Sequence, residues 1–172
     1  MNVKKWIVSV GLVVFPVCLM LVLAPRSPLV TTYALAATTL TSTSGTVTLD
    51  GQQFSRNLNE LECWTFTWVS DALGAADGYT NQVRGTIERV TFNPDDVSTP
   101  TDNYDVTLLD IDGIDVLNGT GANRDTANSE GTVTTEGDGT TYLPFSVVGR
   151  LTLYVTNAGA VKSGVVRVYL RR

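Results

Sequence analysis

The chain has no histidine among its 172 residues. Histidine is the usual general base near neutral pH, and Ser-His-Asp triads, Cys-His pairs and His-ligated zinc sites cannot be built without it. Two carboxylates can also perform acid–base catalysis, yet no motif in the sequence marks a matched pair. We therefore predict that the protein is not an enzyme and has no catalytic or cofactor-binding residues.

Cysteine is also scarce, since only Cys18 and Cys63 occur. If N-terminal processing removes Cys18, no intrachain disulfide can form, and packing or assembly with other copies must hold the domain together. Cys63 lies in an aromatic-rich run, which favours a buried and unreactive thiol over an intermolecular bridge.

Basic residues are few beyond residue 36. That region holds nine of the 12 Lys and Arg residues and all 17 acids, so its formal charge is −8. An acidic surface disfavours nucleic acid and anionic lipid as partners. We predict protein partners, with copies of the same chain among them, and no nucleic acid.

The long apolar run of the chain lies at its N terminus. Lys4 and Lys5 precede 19 uncharged residues, Trp6–Ala24, and Ala34-Leu35-Ala36 places small residues where a signal peptidase cuts. We predict that this region is a hydrophobic helix that acts either as a signal peptide cleaved after Ala36 or as an uncleaved membrane anchor.

Both outcomes export the rest of the chain, because the two lysines stay on the cytoplasmic side. We therefore predict an extracellular or cell-surface protein, or a single-pass one whose domain lies outside. The membrane is contacted only through residues 6–24, and only if the segment 1–36 is retained. Residues 37–45 are small and hydroxyl-rich, which predicts a spacer before the folded domain.

From residue 46 onward the apolar positions repeat every two residues. The runs Cys63–Val69, Leu151–Val155 and Val166–Leu170 alternate in this way, and Gly, Asn, Asp and Pro separate such runs. This pattern predicts an all-β protein. Residues 46–172 are expected to form a single antiparallel β-sandwich, or jelly-roll-like, domain of about eight strands.

Three local signals refine this prediction. The run Val83–Phe92 changes phase near Glu88-Arg89, which indicates a bulge or a strand that passes from one sheet to the other. Asp112-Gly113 lies between two alternating runs and predicts a hairpin turn. Residues 118–140 are long and polar for a connection, which is typical of a functional or disordered segment.

Aspartate is concentrated between Asp95 and Asp115, where seven occur without an intervening basic residue. Asp110, Asp112 and Asp115 are the candidate metal ligands, because Ca²⁺ prefers hard oxygen ligands and weak sites fill outside cells. The alternative is a solvated turn whose aspartates favour local hydrogen bonds to the backbone.

Three large aromatic residues share one face of the run Cys63–Val69, namely Trp64, Phe66 and Trp68. The inner face of a sandwich needs such residues, so the core is one interpretation. The other is a platform on which a sugar ring stacks, as exported binding modules use. The second interpretation requires these rings to face water.

Four segments in the C-terminal two-thirds carry a resemblance to a known group of proteins. They are Asn103-Tyr104-Asp105-Val106-Thr107-Leu108, Asp112-Gly113-Ile114-Asp115-Val116-Leu117, Gly121-Ala122-Asn123-Arg124, and a closing hairpin of Leu151–Gly159 with Lys162–Leu170. Residues 63–172 resemble small β-rich proteins encoded among the structural genes of tailed bacteriophages. The resemblance implies a virion-associated or decoration-type role without catalysis.

The export signal departs from that group, because virion proteins normally assemble in the cytoplasm. The chain is then either a cellular relative displayed on the cell surface or a viral protein held in a membrane. We predict a non-catalytic, exported structural or interaction module that acts by protein–protein contact. A secreted carbohydrate-binding module and a Ca-stabilised adhesion domain are the alternatives.

Overall fold

The computed structural model describes residues 38–39, 44–54, 61–136 and 140–172. Within these ranges every regular element is a β-strand and no helix occurs, which confirms the predicted all-β class. The ten strands are β1 Thr38–Thr39, β2 Thr46–Phe54, β3 Leu61–Val69, β4 Ala76–Tyr79, β5 Val83–Pro94, β6 Asp105–Leu109, β7 Glu130–Thr132, β8 Phe145–Gly149, β9 Thr152–Thr156 and β10 Ser163–Arg171.

The strands form two sheets, and within each sheet all paired strands are antiparallel. The larger sheet has seven strands: six lie in the order β1-β2-β3-β10-β5-β7, and the seventh, β8, also pairs with β5. The smaller sheet has the order β4-β9-β6. β5 is long enough to pair with two strands on one side, β8 along Val83–Ile87 and β7 along Val90–Phe92.

Inward side chains of both sheets form one hydrophobic cluster. Phe66 and Phe92 of the larger sheet belong to it together with Leu153 and Val155 of the smaller one. The rings of Trp68 and Tyr104 lie 5.8 Å apart between centroids. Because one core holds both sheets, the strand ends and the loops that join them take fixed positions.

The phase change in β5 is a β-bulge. Tyr169 of β10 pairs with Arg89, and the next residue, Leu170, pairs with Ile87, so Glu88 is the extra residue. The bulge returns Val83, Ile87, Val90 and Phe92 to one face, and all four are buried in the core. The bulge interpretation is therefore confirmed, and β5 does not pass between the sheets.

The predicted turn around Asp112-Gly113 is present, with Gly113 N–H donating to the Asp110 carbonyl at 3.1 Å. The chain after it does not form a second long strand. It covers the outer edge of β6 instead, since Val116 N–H donates to Leu108 and Val106 N–H donates to Gly121, both at 2.8 Å. The start of the 118–140 segment thus protects a sheet edge.

Residues 1–36 lie outside the described residues, and so do the predicted helix, the apolar run at 6–24 and the cleavage site at Ala36. Within the segment 37–45, Thr38 pairs with Leu49 of β2 and Thr39 pairs with Thr48. The described part of the chain holds no helix with the length and apolar character needed to cross a membrane.

Candidate functional site

Three loops meet at one end of the two sheets. They are residues 70–75 between β3 and β4, 95–103 between β5 and β6, and 157–162 between β9 and β10. Strand register brings them together, since Ser163 of β10 pairs with Val69 of β3 while Gly164 pairs with Pro94 of β5. We refer to these three loops together as the loop platform.

Hydrogen bonds join the three loops to one another. Ser70 is buried and is the centre of this network: its hydroxyl donates to the Gly159 carbonyl at 2.6 Å and accepts from Lys162 N–H at 2.9 Å. Thr101 N–H donates to the Ala158 carbonyl at 2.8 Å. The platform is therefore a set of cross-bonded loops held by the strands beneath it.

Two glycines allow the loops to touch through their backbones. A Cβ added to Gly74 would lie 2.8 Å from Gly159 N, and one added to Gly159 would lie 2.5 Å from the Thr101 hydroxyl oxygen. Both glycines also have positive φ, of 82° and 81°. A side chain at either position would push the loops apart.

The platform carries three aliphatic side chains that face water. Leu73 is 90% exposed, Val97 is 94% exposed and Val161 is 67% exposed, one on each loop. A single exposed aliphatic residue is ordinary, whereas here each of three cross-bonded loops carries one.

Two of these exposed side chains, Leu73 and Val97, are held outward by the same local structure. The Asp71 carboxylate accepts hydrogen bonds from the N–H groups of Leu73 and Ala75, and that of Asp95 accepts from Val97 and Ser98. In each Asx-turn the aspartate fixes the backbone, and the aliphatic residue two positions on points outward.

The third exposed side chain belongs to a residue with a strained backbone conformation. Val161 has a φ of 54°, in the left-handed region that a β-branched residue rarely adopts. Its N–H donates to the Asp71 carbonyl at 3.2 Å, which links it to the loop that carries Leu73. Strain of this kind persists where the surroundings impose it, and it is enriched at functional surfaces.

The platform is also acidic, with four aspartates and one lysine; they are Asp71, Asp95, Asp96, Asp102 and Lys162. The hydroxyl of Ser44 and the Ala75 N–H lower the pKa of Asp71 from its usual 3.8. The N–H groups of Ser98 and Val97 lower the pKa of Asp95 in the same way. The carboxylates that shape the loops are thus fully ionised at neutral pH.

A second surface lies at the other end of the strands, where β5 begins and β10 ends. It is a shallow pocket of about 710 Å³, which we call the arginine pocket; it is lined by Gln82, Val83, Arg84, Ile111, Val148, Gly149 and Arg172. Ile111 and Val148 are 62% and 72% exposed. The side chain of Ile111 packs against Gly149: a Cβ added to Gly149 would lie 3.2 Å from Cδ1 of Ile111.

The two guanidinium groups of this pocket differ in their partners. Arg172 donates to both carboxylate oxygens of the buried Glu62, at 2.9 and 3.3 Å. Arg84 is exposed and pairs with no carboxylate of the described chain. The pocket therefore places aliphatic side chains beside the guanidinium group of Arg84, which can bind an anion.

The aromatic row Trp64, Phe66 and Trp68 faces the core. Their exposed fractions are 7%, 0% and 0%, so no ring presents a face to water. The core interpretation is confirmed. The ligand-stacking interpretation requires rings that face water, whereas the alternation that aligns these three rings points them at the opposite sheet.

The candidate metal ligands Asp110, Asp112 and Asp115 are not gathered into one site. Asp110 accepts hydrogen bonds from the N–H groups of Asp112 and Ile114, both at 2.9 Å. Asp115 accepts from Leu117 and from Gly119. The described residues contain no cluster of three or more metal-ligating side chains. These carboxylates shape turns, which was the alternative interpretation.

Cys63 is a free thiol and is buried, as predicted. Burial raises its pKa from the usual 9.0, against smaller opposing effects of the Thr65 hydroxyl and Arg167. The thiolate is thus disfavoured at neutral pH, which makes the thiol unreactive.

Sequence reasoning missed the loop platform. The signal it contained was the repeat of Asp-x-aliphatic in two turn-rich segments, Asp71-Ala72-Leu73 and Asp95-Asp96-Val97. Nothing in either segment alone shows that the two loops lie side by side. That proximity depends on the sheet order, which places β3, β10 and β5 next to one another.

Comparisons of the chain with protein-family models, with curated proteins and with solved structures found no match. Function is therefore inferred from the surfaces of the chain itself.

Proposed function

We propose that this chain is a non-catalytic structural or interaction module, exported to a cell or virion surface, that acts by protein–protein contact in several copies. The contact surface is the loop platform. The two antiparallel sheets and their shared core fit the predicted β-sandwich, in which loops at one end are held rigidly and are free to bind.

One observation carries this proposal: Leu73, Val97 and Val161 are exposed together on interlocked loops. Rigid loops lose little conformational entropy on binding, so a small aliphatic surface contributes more to affinity than it would on flexible chain. The platform combines exposed aliphatic side chains with charged ones, and protein interfaces likewise join an apolar centre to a polar rim.

The alternative functions have less support. A carbohydrate platform needs exposed rings, and Trp64 and Trp68 are buried. A calcium-stabilised adhesion domain needs carboxylates free to bind the ion, whereas Asp110 and Asp115 are engaged by backbone N–H groups. The absence of histidine from the whole sequence also supports a non-catalytic role.

Site-specific photo-crosslinking in the producing cells tests the proposal. A photoreactive amino acid replaces Val97 in the full chain, and a matched chain carries it at Thr67, which is exposed in the middle of the outer face of β3. We expect protein adducts from position 97 well above those from position 67, and mass spectrometry identifies the partner. Equal or absent adducts at the two positions contradict the proposal.

A further inference from the structure

We propose that the loop platform of one copy binds the arginine pocket of a second copy, so that copies associate head to tail. This inference rests on the proposed function, because it names the partner of the same platform. The two surfaces are complementary in both charge and apolar character.

The charges are opposite in sign. The platform carries four aspartates against one lysine, in a chain whose region beyond residue 36 is already acidic. The lining of the pocket contains Arg172, which is paired with the buried Glu62, and Arg84, which supplies the positive charge open to a partner. Arg84 has no ion-pair partner among the described residues, so an incoming carboxylate does not have to displace one. Attraction between opposite charges orients the two copies as they approach and fixes how the platform aligns with the pocket.

The apolar parts match in a similar way. Leu73 and Val97 project from the platform, while Ile111 and Val148 line a concave surface that is open to water. Burying one set against the other removes aliphatic area from water on both sides of the contact. The charged groups then lie at the rim, where they remain partly hydrated.

The position of the two surfaces requires the contact to be intermolecular. Arg84 is the second residue of β5, and Val97 follows the end of that strand at Pro94. A strand rises by roughly 3.3 Å per residue, so the part of β5 from Arg84 to Pro94 alone spans about 30 Å and no copy can fill its own pocket. Two different surfaces in contact form a heterologous interface, which repeats from copy to copy.

The test uses protein purified from cells that express the full chain, with the N terminus of every variant read by mass spectrometry. The platform variant is Leu73→Ser with Val97→Ser, and the pocket variant is Arg84→Ser with Val148→Ser. The control variant, Val133→Ser with Arg89→Ser, changes the same kinds of exposed residue elsewhere. Melting temperatures check that all variants remain folded.

We expect the sedimentation mass of the unaltered chain and of the control to rise with concentration. Each of the other variants should associate about tenfold more weakly. Each still keeps one intact surface, so an equimolar mixture of the two should form a complex of two subunits and stop there. Association should also weaken as salt is raised.

Three results of the sedimentation experiments overturn the inference. They are a strict monomer at about 100 µM, association that neither variant weakens, or a mixture that forms no complex of two subunits. Symmetric pairing of two copies through the edge of β8 that faces away from β5 would give the second result. Crosslinks from position 97 to a different protein would also overturn it, while leaving the proposed function intact.

Discussion

The carboxylate of Asp71 accepts a hydrogen bond from the backbone N–H of Leu73 at 2.8 Å, and so holds an aliphatic side chain out in water. Asp95 holds Val97 in the same way, also at 2.8 Å. The same turn occurs at Asp110, Asp115 and Asp125, where the residue two positions on is Asp112, the buried Leu117 and Ala127. Among the described residues, only the platform combines this turn with an exposed large aliphatic side chain.

The first prediction concerns the side chain of Asp95. Asp95→Ala removes the acceptor for two backbone N–H groups and should lower the melting temperature, because the loop loses its Asx-turn. Asp96→Ala is the matched control, since its carboxylate shapes no turn, and it should leave the melting temperature nearly unchanged. Thermal unfolding followed by circular dichroism measures both. Equal effects of the two changes would contradict the role given to Asp95.

The second prediction is a loss of stability in acid. The pKa values of Asp71, Asp95 and Asp125 are lowered from 3.8 by hydrogen bonds made in the folded state. A carboxyl whose pKa is depressed on folding stabilises the protein above its unfolded value, and this is lost as pH falls through the folded value. The melting temperature should therefore decline below about pH 4.

Stability should change little between about pH 5 and 8, because the chain has no histidine to titrate there. The double variant Asp71→Asn with Asp95→Asn should show a shallower acid decline than the unaltered chain. Melting curves collected across this pH range measure both effects. A steep change near neutral pH would contradict the assignment.

The third prediction concerns the bulge in β5. Deleting Glu88 removes the extra residue and shifts one half of the strand by one position, which turns Val83 and Ile87 away from the core. The chain should then fail to fold. Glu88→Ala keeps the bulge and loses only its exposed ion pair with Arg171, so it should cost less than about 1 kcal/mol. Chemical denaturation compares the two variants.

The fourth prediction concerns the buried aromatic row and the thiol beside it. Trp64 and Trp68 should resist fluorescence quenching by acrylamide and by soluble sugars, and Cys63 should not react with a thiol reagent until the protein unfolds. The unfolded chain is the control for both measurements. Ready quenching in the folded state, or fast labelling of Cys63, would place these residues on the surface.

Local pattern was enough to predict much of this fold. Alternation at Cys63–Val69 and Val166–Leu170 depends on each residue's neighbours two positions away, so the sequence alone determined which residues share a face of the sheet. The phase change near Glu88-Arg89 was detectable for the same reason, as a break in that period, although the strand pairing was needed to identify it as a bulge. The absence of histidine excluded whole classes of chemistry without any structure.

Tertiary structure decided everything that depends on contacts between distant segments. Sequence could not show that β10 lies between β3 and β5, and this order joins the loops that carry Leu73, Val97 and Val161. Nor could it choose between ion binding and turn formation for Asp110 and Asp115, whose carboxylates are engaged by backbone N–H groups. A side chain's chemistry is encoded locally, but its neighbours are set by strand pairings between segments far apart in sequence.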